Sequence, residues 1–182
     1  MSLRTLCVLL PIVLCACAGT SSPTHYYTLS VEAARSDRPV AGIGKVALAR
    51  VTIPELIDRT SMVVRVAPNQ VEVSDFNRWG EPPRSAIARV LAGDLTRVLG
   101  REVSIGAQGD QRLAVDLHRF DAVRSRAVTV DASWTVSDKA GAREAHAEIE
   151  ERVEGNDYAA IAAAYSRALA RLAHEIGATL SR

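Results

Sequence analysis

Cysteine is scarce and confined: of 182 residues only three are Cys, and Cys7, Cys15 and Cys17 all fall within the first 17. No disulfide can staple the body of the chain, so its stability has to come from packing. Aromatic residues are few as well, with two Trp, four Tyr and two Phe, too few for a row of base-stacking platforms. The core must therefore be built from Val, Leu, Ile and Ala, which favours a sheet covered by Ala-rich helices. An excess of one charge is missing too. Lys+Arg number 22 against 21 Asp+Glu, a formal net charge of +1, so no field exists to recruit nucleic acid or an acidic substrate. Finally, no apolar run reaches the ~20 residues that a spanning helix needs. What is present, 48% hydrophobic and 24% charged residues, is the composition of one ordinary globular domain.

The first segment reads as an address. Arg4 is followed by an apolar run interrupted by Pro11, the layout of a bacterial export leader to be removed. Leu14-Cys15-Ala16-Cys17 resembles a lipobox, an aliphatic residue and two small ones before the Cys whose thiol is acylated. Cys17 fits and Cys15 does not, because bulky Leu14 stands directly before it. The alternative is an ordinary secretory signal cleaved near Ala16 or Ala18, with Cys17 incidental. The expected organisation is a signal peptide over 1–16, a lipidated N-terminus and tether over 17–24, and one domain over 25–182. Ala18 to Thr24 is small and polar, a flexible tether with a reach of about 20 Å. At ~0.8 kcal/mol per buried CH₂, several fatty chains hold such a protein at a bilayer without a basic patch. Ala18 stands where an Asp would signal retention in the inner membrane, and its identity points by analogy to the outer membrane.

Beyond the tether the periodicities alternate between two and three-to-four. Strands are expected at His25–Leu29, Ile43–Ile53, Glu102–Ile105, Arg112–Phe120 and Ala127–Val136, with an edge strand at His146–Val153. Ser61–Ala67 and Gln70–Ser74 flank Pro68-Asn69 as a hairpin. Arg84–Leu99 carries Ile87, Val90, Leu91, Leu95 and Val98 at helical spacing, with Pro82 and Pro83 at its start and Gly100 past its end. Asp157–Leu180 has the stripe Tyr158, Ile161, Tyr165, Leu169, Leu172, Ile176 and Leu180 behind a capping Asn156 or Asp157. Strands interleaved with two long helices and no internal repeat predict a single-domain α/β sandwich with a mixed β-sheet.

Catalytic patterns are missing. His25, His118, His146 and His174 show no HxH or HExxH spacing, so neither a metal site nor a cofactor is expected. Gly42-Ile43-Gly44 precedes a strand rather than a helix and reads as a bend. There is no GxSxG elbow or P-loop, and Ser85 has no identifiable partner. Arg124 and Arg126 suit a solvated turn better than a lipid headgroup contact. The richest segment outside the expected core is Asp75 to Pro83, read as a loop, where Phe76, Arg78, Trp79 and Glu81 crowd before a helix. That is hot-spot chemistry for a partner. Alternatively Trp79 and Phe76 cover the core while Asp75 or Glu81 stabilises the helix N-terminus.

Taken together, several segments resemble the ABC-type transport auxiliary lipoprotein family, the PqiC/YmbA-like group. They are the lipobox at Cys17, Tyr26-Tyr27-Thr28-Leu29, Val51-Thr-Ile-Pro-Glu-Leu-Ile-Asp-Arg59 with Met62-Val63, and Arg78-Trp79-Gly80-Glu81-Pro82 before Arg89-Val90-Leu91-Ala92. Gly80 and Pro83 depart from the family's common Ala and bulky apolar residue. The resemblance implies a non-enzymatic outer-membrane lipoprotein of a phospholipid transport system that maintains membrane integrity. Its implied partner is a periplasm-spanning MCE-type transport protein, and members can assemble as homo-oligomeric rings. Rival expectations are a lipid carrier or chaperone with its own acyl-sized cavity, and a hydrolase using Ser85.

Overall fold

The computed structural model describes residues 22–37, 39–42 and 44–181. Cys17 and Ile43 therefore lie outside the described residues. The elements run β1 (His25–Tyr27), β2 (Val46–Thr52), a 3₁₀ turn (Glu55–Ile57), β3 (Ser61–Ala67), β4 (Gln70–Trp79) and α1 (Pro83–Leu99). They continue with β5 (Val103–Ile105), β6 (Gln111–Val123), β7 (Ala127–Asp138), β8 (Gly141–Arg152) and α2 (Tyr158–Leu180).

The eight strands form one mixed sheet that forks at β6. Along one edge β6 pairs antiparallel with β7, which pairs antiparallel with β8. Along its other edge β6 pairs in parallel first with β2, which carries β5, and then at Arg65↔Val123 with β3, which carries β4 and β1. An ion pair braces the fork: Arg65 Nη2 lies 3.0 Å from Asp121 Oδ2, and Arg65 Nε donates to the same oxygen at 3.1 Å. Both helices pack on one face of the sheet, α1 against β2 and β5, α2 against β7 and β8, and against each other. This is the expected mixed-sheet α/β sandwich, in two layers with one sheet face open.

The alternation in β7 decides which face is covered. Val128, Val130, Ala132, Trp134 and Val136 are all buried, while Thr129, Asp131, Ser133 and Thr135 between them are only half-buried. In β6 the buried set changes parity, from Leu113, Val115 and Leu117 to Phe120 and Ala122. A register shift between Leu117 and Arg119 supplies the extra residue that keeps both sets on the core side.

The helices end where their caps dictate. Asp157 Oδ1 accepts from Ala160 N at 2.8 Å, so an orphan donor of α2 is satisfied. Asp157→Ala is expected to lower stability by about 1 kcal/mol in chemical denaturation. Gly100 closes α1 at φ 65°, a conformation that glycine adopts without a Cβ penalty.

Between β1 and β2 the chain runs as a strap across both helices, and side chains hold it there. Ser30 N donates to Ser166 Oγ at 3.0 Å, and Glu32 N and Ala33 N both donate to Asp94 Oδ1 at 2.8 Å. Arg97 Nη1 donates to Val31 O and Ala33 O at 3.2 and 3.3 Å, and Arg89 Nη2 to Leu29 O at 3.2 Å. Leu29 and Ala33 are buried beneath it. A Cβ on Gly93 would lie 2.6 Å from Val31 Cγ2, so the close approach of strap and α1 depends on that glycine.

From the residue after Ser166 onward, α2 is also tied to β8. Glu151 accepts from Arg167 Nε at 3.0 Å and Arg171 Nη1 at 3.2 Å. Burial pushes the Glu151 carboxyl up, but the two guanidiniums outweigh it and leave it below its ordinary value. A lowered folded-state value makes this contribution present above the unfolded-chain value and lost as pH falls through the folded one. An acid titration of unfolding is expected to show this loss in the native chain and a shallower one in Glu151→Gln.

Candidate functional site

Three of the four residues expected at a partner surface lie on β4, which corrects their sequence assignment to a loop. The strand continues through Trp79. Its pairing with β3 goes from Val63↔Val73 to Ser61↔Arg78, so three extra residues bulge out of β4. Asn77 N and Asn77 Nδ2 both donate to Ser74 Oγ, at 3.0 and 2.9 Å, which closes the bulge locally. Beyond it β1 joins in parallel, with His25↔Asn77, Tyr26↔Arg78 and Tyr27↔Trp79.

Strand alternation then separates the four residues. Trp79 points into the core and is 7% exposed. Its ring lies 6.2 Å from that of Tyr165, which stacks on Phe120 at 3.8 Å and donates from its hydroxyl to Phe120 O at 3.0 Å. Burial, and secondarily Asp121, hold the Tyr165 hydroxyl well above its ordinary value. The space left among Ile57, Ser61, Val63, Trp79, Pro83, Phe120 and Tyr165 is only ≈ 10 Å³, about one water at most. Trp79 is a core residue.

Phe76 and Arg78 lie on the opposite, open side. Phe76 is 45% exposed, beside Tyr26 at 67%. Arg78 is exposed, and its Nε donates to Asp75 O at 3.4 Å. Glu81 is turned to Arg89, with which it forms an ion pair. Neither Asp75 nor Glu81 caps α1: its N-cap is Pro82, with no side-chain hydrogen bond. The expected quartet thus resolves into a core residue, an ion-pair partner, and an exposed pair with Tyr26 as its neighbour.

Sequence spacing did not show that β7 brings two histidines together on the open face. His118 Nε2 and Ser133 Oγ are 2.9 Å apart, His146 Nε2 and Asp131 Oδ1 2.6 Å, and the two imidazoles 6.4 Å between centroids. A nucleophilic triad needs one imidazole between hydroxyl and carboxylate, and here two different rings serve them. Among the described residues no group of three His, Cys, Asp or Glu side chains can hold a metal. Ser85 sits in the first turn of α1, on the side of the sheet away from this cluster. Arg124 and Arg126 occupy the β6–β7 turn; Arg124 lies 5.0 Å over the Tyr158 ring and 3.4 Å from Glu72. Among the described residues no helix is long and apolar enough to cross a membrane.

Comparison with known proteins places this fold. The family model described as the ABC-type transport auxiliary lipoprotein component matches residues 27–177. The chain belongs to that family. The match runs from the last residue of β1 into the final turn of α2, so it takes in the strap and the β4 bulge. Two solved structures share the architecture. One, described as an uncharacterized protein, aligns with a TM-score of 0.72 at 15% identity, over 87% of this chain and 99% of its own. The other, a Xanthomonas campestris protein of the domain-of-unknown-function 330 family, aligns with a TM-score of 0.69 at 22% identity, over 86% and 95%. No functionally curated relative matches the sequence. As a transport auxiliary component, this chain works beside a transporter.

Proposed function

We propose that the mature chain begins at Cys17, is acylated there, and is held by its fatty chains at the periplasmic face of the outer membrane. Residues 1–16 are the leader, 17–24 the tether and 25–182 the working domain. It acts without catalysis as the docking component of an ABC/MCE-type phospholipid transport system, binding a periplasm-spanning MCE-type protein, and homo-oligomeric rings are the assembly to look for. The observation that carries this reading is the family match over a domain whose first strand, β1, starts eight residues after a lipobox cysteine. Of the four residues first expected at a partner surface, Phe76 and Arg78 are the two exposed on the open face, while Trp79 lies in the core and Glu81 pairs with Arg89.

Cys17→Ser tests the anchor. The variant is expected as an unprocessed or soluble periplasmic form, whereas the native chain stays in the membrane fraction through carbonate washing. A Cys17→Ser protein that has lost its leader and still remains membrane-bound after that wash overturns the assignment.

A further inference from the structure

The open face of the sheet changes character along its width. On β7 and β8 it presents Thr129, Asp131, Ser133, His146 and Glu148, of which Asp131 meets His146, while Ser133 and Glu148 are met from β6 by His118 and Arg119. On the β1–β4–β3 branch it presents Tyr26, Phe76 and Val73, 67%, 45% and 41% exposed. Register puts the three on one side: Tyr26 stands opposite Arg78, Val73 opposite Val63, and Phe76 two residues before Arg78. Phe76 is exposed two residues before Arg78, the residue that stands opposite Tyr26. Arg78 makes no ion pair among the described residues and lies beside both rings.

Three observations favour lipid as the occupant. Cys17 is nine residues before Tyr26, so an anchor there keeps Tyr26 within about 30 Å of the bilayer at full extension. Tyrosine, phenylalanine and an arginine whose stem lies along apolar surface are the side chains that settle at headgroup level. The patch also sits on the rim strand from which the N-terminal segment leaves. We propose that Tyr26, Val73 and Phe76, with Arg78, rest in the headgroup region of the leaflet that holds Cys17. The domain is thereby fixed in one orientation on the membrane, with its polar β7–β8 end left to an aqueous partner. This rests on the Cys17 anchor proposed above.

The test uses full-length acylated protein in phosphatidylethanolamine–phosphatidylglycerol vesicles. Phe76→Trp places a reporter in the patch, and Ile105→Trp places one on β5, at the other end of the sheet, where Ile105 is 61% exposed. Native Trp79 and Trp134 are buried and give the background. Lipids brominated high in the acyl chain are expected to quench the emission added at position 76 about twofold, the depth of an interfacial side chain, and to leave that at 105 unchanged. Equal quenching at both positions, or none at 76, in protein that still floats with the vesicles overturns the orientation and leaves the anchor standing. Protein that fails to float overturns both. A reporter at position 76 that stays unquenched, and whose emission shifts blue only when the co-purified transport partner is added, makes the patch a protein contact and overturns the lipid assignment.

Discussion

Trp79→Ala is expected to lower the unfolding free energy by about 3–5 kcal/mol, the range for truncating a buried aromatic. The indole is 7% exposed, faces Tyr165 and fills a space with ≈ 10 Å³ to spare. Removing it opens a cavity between α2 and the β3–β4 hairpin. Chemical denaturation reads the effect, and an unchanged denaturation midpoint would show that Trp79 is not packed as described. Phe76→Ser supplies the contrast. Its side chain is exposed on the open face, so the melting curve is expected to stay within about 0.5 kcal/mol of the native one.

Asp94→Ala is the second large loss, about 2–4 kcal/mol, because two strap amides lose a charged acceptor and one end of the strap is released. Asp94 is fully buried on α1, and its Oδ2 has no hydrogen-bond partner. Burial raises its carboxyl above the ordinary aspartate value, and the amides of Ala33 and Glu32 and the charge of Arg97 offset part of that. A raised folded-state value means that the contribution of the protonated form is complete below the unfolded-chain value and is lost as pH rises through the folded one. Asp94→Asn keeps the acceptor and has no charge to bury. It is expected to hold most of the native stability near neutral pH and to lack this pH dependence. Denaturation of the three proteins across the acid range decides it: equal instability of Asn and Ala variants would show that the carboxylate's charge, not its acceptor oxygen, holds the strap.

Both long helices were legible because their apolar stripes and end signals agree, Pro83 and Gly100 for α1 and Asp157 for α2. The hairpin at Pro68-Asn69 and the one-sided strand β7 were legible for the same reason. Strand ends were not. β8 starts at Gly141 rather than His146 because small residues such as Ala142 and Ala145 give a weak alternation. β4 runs five residues past Ser74 because its bulge breaks the period of two just where Phe76, Arg78 and Trp79 stand. That same bulge sends Trp79 inward and Phe76 outward, a separation that a loop assignment could not make. The strap was invisible because its bonds reach about sixty residues along the chain, to Arg89, Asp94 and Arg97. One signal for it existed: Asp94 falls four residues after Val90 and seven after Ile87, on the apolar side of α1. The histidine pair was hidden too, since His118 and His146 meet only through β7.

The most direct measurement is co-purification of the tagged full-length chain from its native membranes in detergent, with mass spectrometry of the bound proteins. Recovery of an MCE-type transport protein in near-stoichiometric amount, together with an acylated Cys17 at the mature N-terminus, is the predicted result. An unacylated chain would contradict the anchor, and a chain that brings down phospholipid and no transport protein would contradict the docking role.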